Sequence, residues 1–417
     1  MVAVPLTVYP ICEQLLQIGR ETTFATAPAQ TAFQSVPVVG FMPDNKVTWV
    51  EDGSMWGDFV RTHDLQEGPV WAESEIKESP LYGDTFGNFL YNLLGDYTVT
   101  GTAASPNSTL NGAVAAGASS IVVASGTGFV ANQWIQIDTA ANAEVVQILS
   151  VATNTLTLTA ATPTRFSHLT SVAVTNTAAP YTHVFSLLNP SSSTGVTTGQ
   201  GPSHTIIHRT GIPGSGNHYA WQFVYGCMSE ITIMGKASGI LTWSGKITTY
   251  QKAYPSFTPS PSFSAVRMIP AWKSTTTVAS SQINDITEWS TTLVRQLDVI
   301  PTADGVQDPY LIGRGNLDAT FKLTYDPALD ESPLSNMLSN TQPTLAWSIS
   351  NGLGGSSLVS FALAANQAAY KTTPMKADKT FWGWDVTGDF VGNTVNAGNS
   401  GGRSPCQITL VNAVQSY

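Results

Sequence analysis

At 417 residues, with 11% charged and 10% aromatic side chains, the chain is long enough for two or three ordinary domains and too aromatic to be disordered. Its net charge of −10 is uneven: residues 1 to 100 carry 13 acidic and 4 basic side chains, 101 to 179 carry 2 and 1, and 180 to 417 carry 13 of each. No basic patch is present to hold phosphates, so nucleic-acid binding by counterion release is disfavoured, whereas a surface that lets a polyanion slide past would carry this sign.

Abundant Ser, Thr, Gly, Ala and Asn predict an all-β fold with short helices and a hydroxyl and amide surface. Residues 1 to 35 open with a short apolar piece, then GRETTFAT from Gly19 and a strand-like FQSVPV. In 44 to 95, Val47, Thr48 and Trp49 begin a strand and a polar excursion spans 50 to 67. Gly68 then leads into a strand where Val70, Ala72, Ser74 and Ile76 alternate with Trp71, Glu73, Glu75 and Lys77. A helix through Phe86, Phe89, Leu90, Leu93 and Leu94 is closed by Gly95 at the left-handed C′ position. Residues 101 to 179 hold three charges and four alternating segments, SSIVVAS, QWIQID, AEVVQILSV and NTLTLTA, separated by turn signals. They predict a small β domain inserted into a loop and decorating an outer surface. Strands YTHVFSLL and HTIIHR follow, then a hairpin over 230 to 250 about the turn at Gly235 to Gly239.

A Pro- and Ser-rich linker, 254 to 264, precedes a second run with the same order of elements. Thr287, Glu288 and Trp289 begin a strand, a polar excursion covers 295 to 314, and Gly315 leads into a strand with Leu317, Ala319, Phe321, Leu323 and Tyr325 on one face. Asp326-Pro327 stops it. A short helix carries Leu334, Met337 and Leu338, with a serine available as N-cap and Pro333 at its first helical position. Strands TLAWSIS, SLVSFALAA, KTFWGWDVTGDFVG and CQITLVNA close the chain. Both runs hold Glu-Ser-Pro-Leu, at 78 to 81 and 331 to 334. The repeated order predicts two copies of one β fold: residues 1–100 with 180–258, and residues 259–417, with 101–179 inserted in the first.

Motifs of chemistry fail on context. His204 and His208 stand four apart, but no third ligand has suitable spacing and the flanking isoleucines point to structure. Gly126-Thr-Gly128 follows a strand, yet the next segment is another strand, so no helix N-terminus is present to cradle a phosphate. No GxSxG, Walker or HExxH sequence occurs, and neither a cofactor nor a metal is expected. Cys12, Cys227 and Cys406 read as structural thiols in a cytosolically made protein. Trp221, Phe223, Tyr225, Trp243, Trp382 and Trp384 read as core or interface aromatics. The N-terminus has no signal-peptide pattern, and no run of about 18 apolar residues suits a membrane span.

Taken in order, GRETTFAT, HVFSLL before a PSHTI strand, GCMSEITIMGKASGILTWSGKI, GRGNLDATFKLTYD before a helix, and a closing ITLVNA resemble the tail tube proteins of long-tailed bacteriophages. The resemblance covers the chain outside 101 to 179. It implies two tandem tail-tube-type β-sandwich or barrel domains, each with a flanking helix, whose protomers join edge to edge into rings that stack into a hollow tube. Genome DNA would pass through during ejection without specific binding. It also implies tail terminator, tape-measure and distal tail proteins as partners, and a virion location. Two copies per chain predict a ring of three chains with pseudo-sixfold symmetry, six chains being the alternative.

The excursions at 50 to 67 and 295 to 314 would be arms ordered by a neighbouring subunit. Acidic candidates for lumen or ring-to-ring faces are Asp44, Glu51, Asp52, Asp58, Asp64 and Glu67 in the first copy and Asp298, Asp304 and Asp308 in the second. The rival expectation is a secreted β-rich adhesin or carbohydrate-binding protein, and an enzyme is the weakest reading.

Overall fold

The computed structural model describes residues 14 to 417 except 58, 101–102, 139–141, 143, 161, 165, 178–179, 191–197, 212–217, 264–267, 327–330, 354–357, 378–379 and 415. Alternating apolar residues set the strands. β1 (Leu15–Arg20) and β2 (Gln34–Val36) come first, followed by the long hairpin of β3 (Phe41–Asp52) and β4 (Asp64–Pro80), then α1 (Gly83–Leu94) and β5 (Gly95–Thr100). Within 103 to 177 lie β6 (Ala103–Thr109), β7 (Ser120–Val122), β8 (Trp134–Ile137), β9 (Glu144–Ala152), β10 (Thr155–Leu158) and β11 (Ala173–Thr177). Next are β12 (Tyr181–Leu187), β13 (His204–Gly211), β14 (His218–Lys236) and β15 (Leu241–Tyr250). The remainder comprises β16 (Thr275–Val278), β17 (Ser281–Ile283), β18 (Ile286–Ile300), β19 (Leu311–Tyr325), α2 (Ser332–Leu338), β20 (Leu345–Ser350), β21 (Ser360–Ala365), β22 (Ala368–Thr372), β23 (Met375–Lys376), β24 (Gly383–Phe390) and β25 (Gln407–Asn412).

A twelve-stranded sheet runs β2-β1-β13-β14-β18-β19-β24-β22, with β15, β4 and β3 branching from β14 and β23 beside β24. The branch follows from the 19-residue length of β14: its first half pairs with β13, and its second half lies between β15 and β18. A seven-stranded sheet, β17-β16-β20-β21-β25-β12-β5, packs against it across one core. Both sheets pass from the first run of elements into the second, through β14 to β18 and through β12 to β25. The segment 103 to 177 builds a separate six-stranded sheet, β6-β11-β8-β9-β10-β7, around its own core of Leu110, Ile121, Ile135, Val146 and Leu156.

Helix α1 is held by its apolar residues. Phe86, Phe89, Leu90, Leu93 and Leu94 are each at most 1% exposed, and full burial of such a side chain contributes about 1.5–3 kcal/mol, far more than helix propensity supplies. The rings of Phe86 and Phe89 lie 5.0 and 4.6 Å from that of Trp243. Gly95 terminates the helix at φ 85°, where a side chain would be strained.

Several expectations are corrected. The excursions at 50 to 67 and 295 to 314 are in part paired strand within a single chain: β3 and β18 run on to Asp52 and Ile300, and β4 and β19 start at Asp64 and Leu311. Each hairpin contains a bulge, between Val47 and Trp49 and between Arg295 and Leu297, which breaks the two-residue period by which such strands are recognised. The N-cap of α2 is Glu331, with Ser332 already helical, so Pro333 is the second helical residue and not the first. Trp382 is exposed while Trp384 is buried. Cys227 and Cys406 are, as expected, buried free thiols; Cys12 lies outside the described residues.

Candidate functional site

Beyond the bulge, the β3–β4 hairpin projects with both faces exposed: Trp49, Val50, Glu51, Asp64, Leu65, Gln66 and Glu67 are all exposed. Its loop is shaped by Asp52, whose carboxylate accepts from the Ser54 N–H at 2.9 Å and from the Ser54 hydroxyl. These bonds hold its pKa below the usual carboxylate value. The His63 N–H closes the loop on the Asp52 carbonyl at 2.9 Å, and the Trp56 ring stacks on His63 at 5.2 Å. At the tip, Met55 and Phe59 are wholly exposed, at 100% and 110%, with Trp56 and Val60 beside them. An apolar cluster at the end of an ordered hairpin is a contact surface.

The β18–β19 hairpin turns back onto its own chain. The Gln307 carbonyl accepts from the Val70 N–H at 3.0 Å, and the Gln307 side-chain amide donates to the Gly68 carbonyl at 3.3 Å. Its tip, 301 to 310, therefore lies against the base of the first hairpin.

The twelve-stranded sheet leaves one face open. Across it, register places Asp44 beside Glu73, and Met42 beside Glu75. A row continues from Glu75 through Lys246, Glu230 and Val294 to Asp318, and the next row runs Thr232, Thr292, Thr320 and Asp389. Three lysines on this face are paired, Lys246 with Glu230 at 2.7 Å, Lys371 with Asp389, and Lys376 with Asp385 at 3.7 Å, while Lys322, beside Thr320, has no ion pair among the described residues. The face is a hydroxyl and carboxylate surface on which part of the positive charge stands beside a carboxylate.

The nine acidic candidates do not converge. Asp44 lies on the open face, where its ion pair with Lys46 raises the lysine's pKa. Asp298 is exposed farther along β18, 3.5 Å from the Gln296 amide. Glu51, Asp52, Asp64 and Glu67 belong to the projecting hairpin. Asp64 accepts from the Leu65 N–H at 2.8 Å and the Gln66 amide at 2.6 Å. Asp304 forms a turn at the second tip, accepting from Val306 N–H at 3.1 Å and the Thr302 hydroxyl at 3.0 Å, which lowers its pKa. Asp308 is half-buried against Gln251, and burial raises its carboxyl pKa. Asp58 lies outside the described residues. Sequence reasoning passed over Glu73, Glu75, Glu230, Asp318 and Asp389, whose alternation with the core side of their strands was itself the signal. It also passed over Met55, Trp56 and Phe59, hidden inside a stretch read as polar.

Interior polar groups are structural. Glu21, in the GRETTFAT phrase, is buried and accepts from Ala25 N–H, Ser203 and Thr205 hydroxyls and Tyr225 N–H, at 2.5 to 2.9 Å. His204 Nδ1 is 2.8 Å from the Asn92 amide, and no group of three or more His, Cys, Asp or Glu side chains among the described residues could hold a metal. No helix among them is long and apolar enough to cross a membrane.

No curated protein matches the chain. The phage tail tube protein family matches residues 13–404, a span that contains both hairpins, the open sheet face and the inserted sheet. A mostly β chain with an open polar sheet face and an exposed apolar hairpin tip, matched over this length, belongs to the phage tail tube protein family, a structural component of the virion.

Proposed function

We propose that the chain forms rings that stack into the tail tube, with the open face of the twelve-stranded sheet turned to the lumen and the β3–β4 tip reaching a neighbouring copy. The observation that carries this reading is the pairing of two surfaces on one scaffold. One is a broad sheet face of hydroxyls and carboxylates on which several lysines are paired; the other is a projecting tip with wholly exposed Met55 and Phe59. A polyanion sliding over the first meets few attractive traps, while the second is apolar surface that assembly would bury.

The tandem arrangement supports a ring of three chains with pseudo-sixfold symmetry. Each half supplies a bulged hairpin followed by a helix, β3–β4–α1 and β18–β19–α2, and the two are already joined into one sheet through β15 and β14. On this reading residues 1–100 with 180–258 form one unit, 259–417 the second, and 101–179 the outer decoration. Among the described residues β3 pairs with β4 alone, which leaves its other edge to extend a sheet in a neighbouring copy. Identical heterologous contacts extend without limit, so length requires terminating and measuring partners, and passing DNA needs no specific site.

Electron microscopy of the purified protein and of phage particles tests both parts. Six-lobed rings or tubes built from three chains are expected. Glu73→Lys, Glu75→Lys and Asp318→Lys together should leave tubes intact and slow DNA ejection; unchanged ejection from fully assembled particles would remove the lumen assignment. A dispersed monomer that binds glycan would favour the adhesin reading.

A further inference from the structure

A second group of exposed apolar residues stands at the far end of the strands that carry the β3–β4 tip. β4 starts at the tip with Asp64 and ends at Pro80, which pairs with Thr242 of β15. At that end Gly235 pairs with Leu241 and Trp289, Ile286 with Tyr325, Tyr325 with Trp384, and Trp384 with Met375. The Ala271 N–H donates to the Gly239 carbonyl at 3.0 Å, which sets Trp272 beside the β14–β15 turn. Trp272, Met375, Phe381 and Trp382 are each more than half exposed here. β4 is 17 residues long, so at a strand's rise per residue about 55 Å separates this end from the tip. Within one chain the two cannot meet.

Between the ends of the two sheets this end opens into a cleft of about 340 Å³, whose lining includes Trp272, Gln282, Ile283, Ile286, Thr287 and Trp289. Its floor is fixed, because Trp289 Nε1 donates to Ser274 Oγ at 2.9 Å and the Trp289 ring stacks on that of Trp347 at 4.9 Å. Its rim is fixed as well. Lys273 Nζ donates to the Asn351 carbonyl at 2.7 Å and lies 5.7 Å from the centre of the Trp272 ring. None of the described residues lining the cleft is charged. A preformed, uncharged cleft beside exposed aromatic rings suits an apolar side chain.

We propose that this cleft receives the β3–β4 tip of a second copy, with Phe59 seated beside Trp272 and the rest of the tip against Met375, Phe381 and Trp382. The proposal rests on the reading that the tip contacts a neighbouring copy, and it names the surface that is contacted. The two groups match in size. Counting roughly 200 Å² for a wholly exposed large side chain, the tip and the far-end group each present about 500–600 Å². Joined, they bury about 1,100 Å², above the roughly 1,000 Å² that a biological interface needs. Because tip and cleft stand at opposite ends of one set of strands, the contact relates copies by a displacement along those strands. Each copy added leaves one free tip and one free cleft, so the contact is heterologous and extends.

Photocrosslinking of assembled tubes tests this, with Phe59 replaced by benzoylphenylalanine and the products read by mass spectrometry. Position 59 should be joined to peptides of a second chain that contain Trp272 or residues 375 to 382, and these products should be absent from unassembled protein. Crosslinks to any other surface of the second chain would overturn the proposal and leave the tip contact standing; tubes without a crosslink between chains would overturn both. Should the label block assembly, Trp272→Ser with Trp382→Ser decides. Both side chains are exposed, so the urea midpoint should stay at the wild-type value, while the protein concentration at which tubes form should rise about tenfold or more. Tube formation by this variant at the wild-type concentration would overturn the proposal.

Discussion

Arg295 Nη1 donates to the Leu93 carbonyl at 2.7 Å, tying the second hairpin to the C-terminal end of the helix α1. Its Nη2 reaches the Gly199 carbonyl at 2.7 Å, and Arg314, across the same bulge, donates to the carbonyls of Gly201 and Pro202 and to Asn92 Oδ1. These carbonyls include the negative end of a helix dipole, which favours a cation. Burial, then the neighbouring Arg314 charge, lowers the Arg295 pKa to about 10, leaving it charged at neutral pH.

Arg295→Leu should therefore destabilise the chain by about 2–4 kcal/mol, since several buried carbonyls lose their donor at once. Arg295→Lys should recover only part, because an ammonium cannot reproduce the guanidinium fork. Urea denaturation measures both, and a Leu variant within 0.5 kcal/mol of wild type would show that the tie contributes nothing.

Three buried histidines predict acid sensitivity. Burial lowers the pKa values of His183, His204 and His208 to about 4, 3 and 4. Each folded value is below the unfolded 6.5, so the unfolded chain binds more protons in between. Stability from these groups is complete above about pH 6.5 and falls as pH drops toward 4, on the order of 1 kcal/mol per pH unit for each. His208 packs beside Phe41 and Trp221, with no hydrogen-bond partner for its Nε2 among the described residues. His208→Phe should leave stability at pH 7.5 nearly unchanged and flatten the loss at pH 4.5, as read from denaturation midpoints; an equal acid loss in the variant would rule His208 out.

How much of this was legible varies with the periodicity of each segment. The helix α1, its Gly95 cap and the strand after Gly68 were readable because apolar spacing and backbone chemistry coincide there. The bulges were not, and they change the comparison of the two runs. Gly68 and Gly315 both sit at a bulge, whereas Trp49 lies beyond its bulge, opposite Glu67 and exposed, and Trp289 lies before its own, opposite Leu323 and buried. Matching the two tryptophans by their place at a strand start therefore joined residues with different roles. Acidic composition marked the candidate surface, but whether a carboxylate caps a turn, as Asp52 and Asp304 do, or stands on an open sheet, as Asp318 does, depends on partners far away in the sequence.

Gly388 on β24 admits no side chain. A Cβ there would lie 2.1 Å from the Ala369 carbonyl oxygen and 2.5 Å from the Phe321 ring. Gly388→Ala should cost about 2 kcal/mol or more through forced strand separation, visible as a lower thermal midpoint; an unchanged midpoint would mean that the β22 edge moves aside freely.

The projecting tip separates folding from assembly. Met55 and Phe59 touch solvent on all sides, so Met55→Ser with Phe59→Ser should change monomer stability by no more than about 0.5 kcal/mol. If their apolar surface is buried between copies, the same pair should prevent or greatly weaken polymerisation, because residues that enter a neighbour's pocket dominate an interface. Asp52→Asn provides the contrast: it keeps the tip's apolar residues but weakens the turn that presents them, so assembly should slow without being abolished. Sedimentation velocity and negative-stain microscopy follow both effects, and wild-type tubes formed by the double serine variant would exclude the tip from the contact.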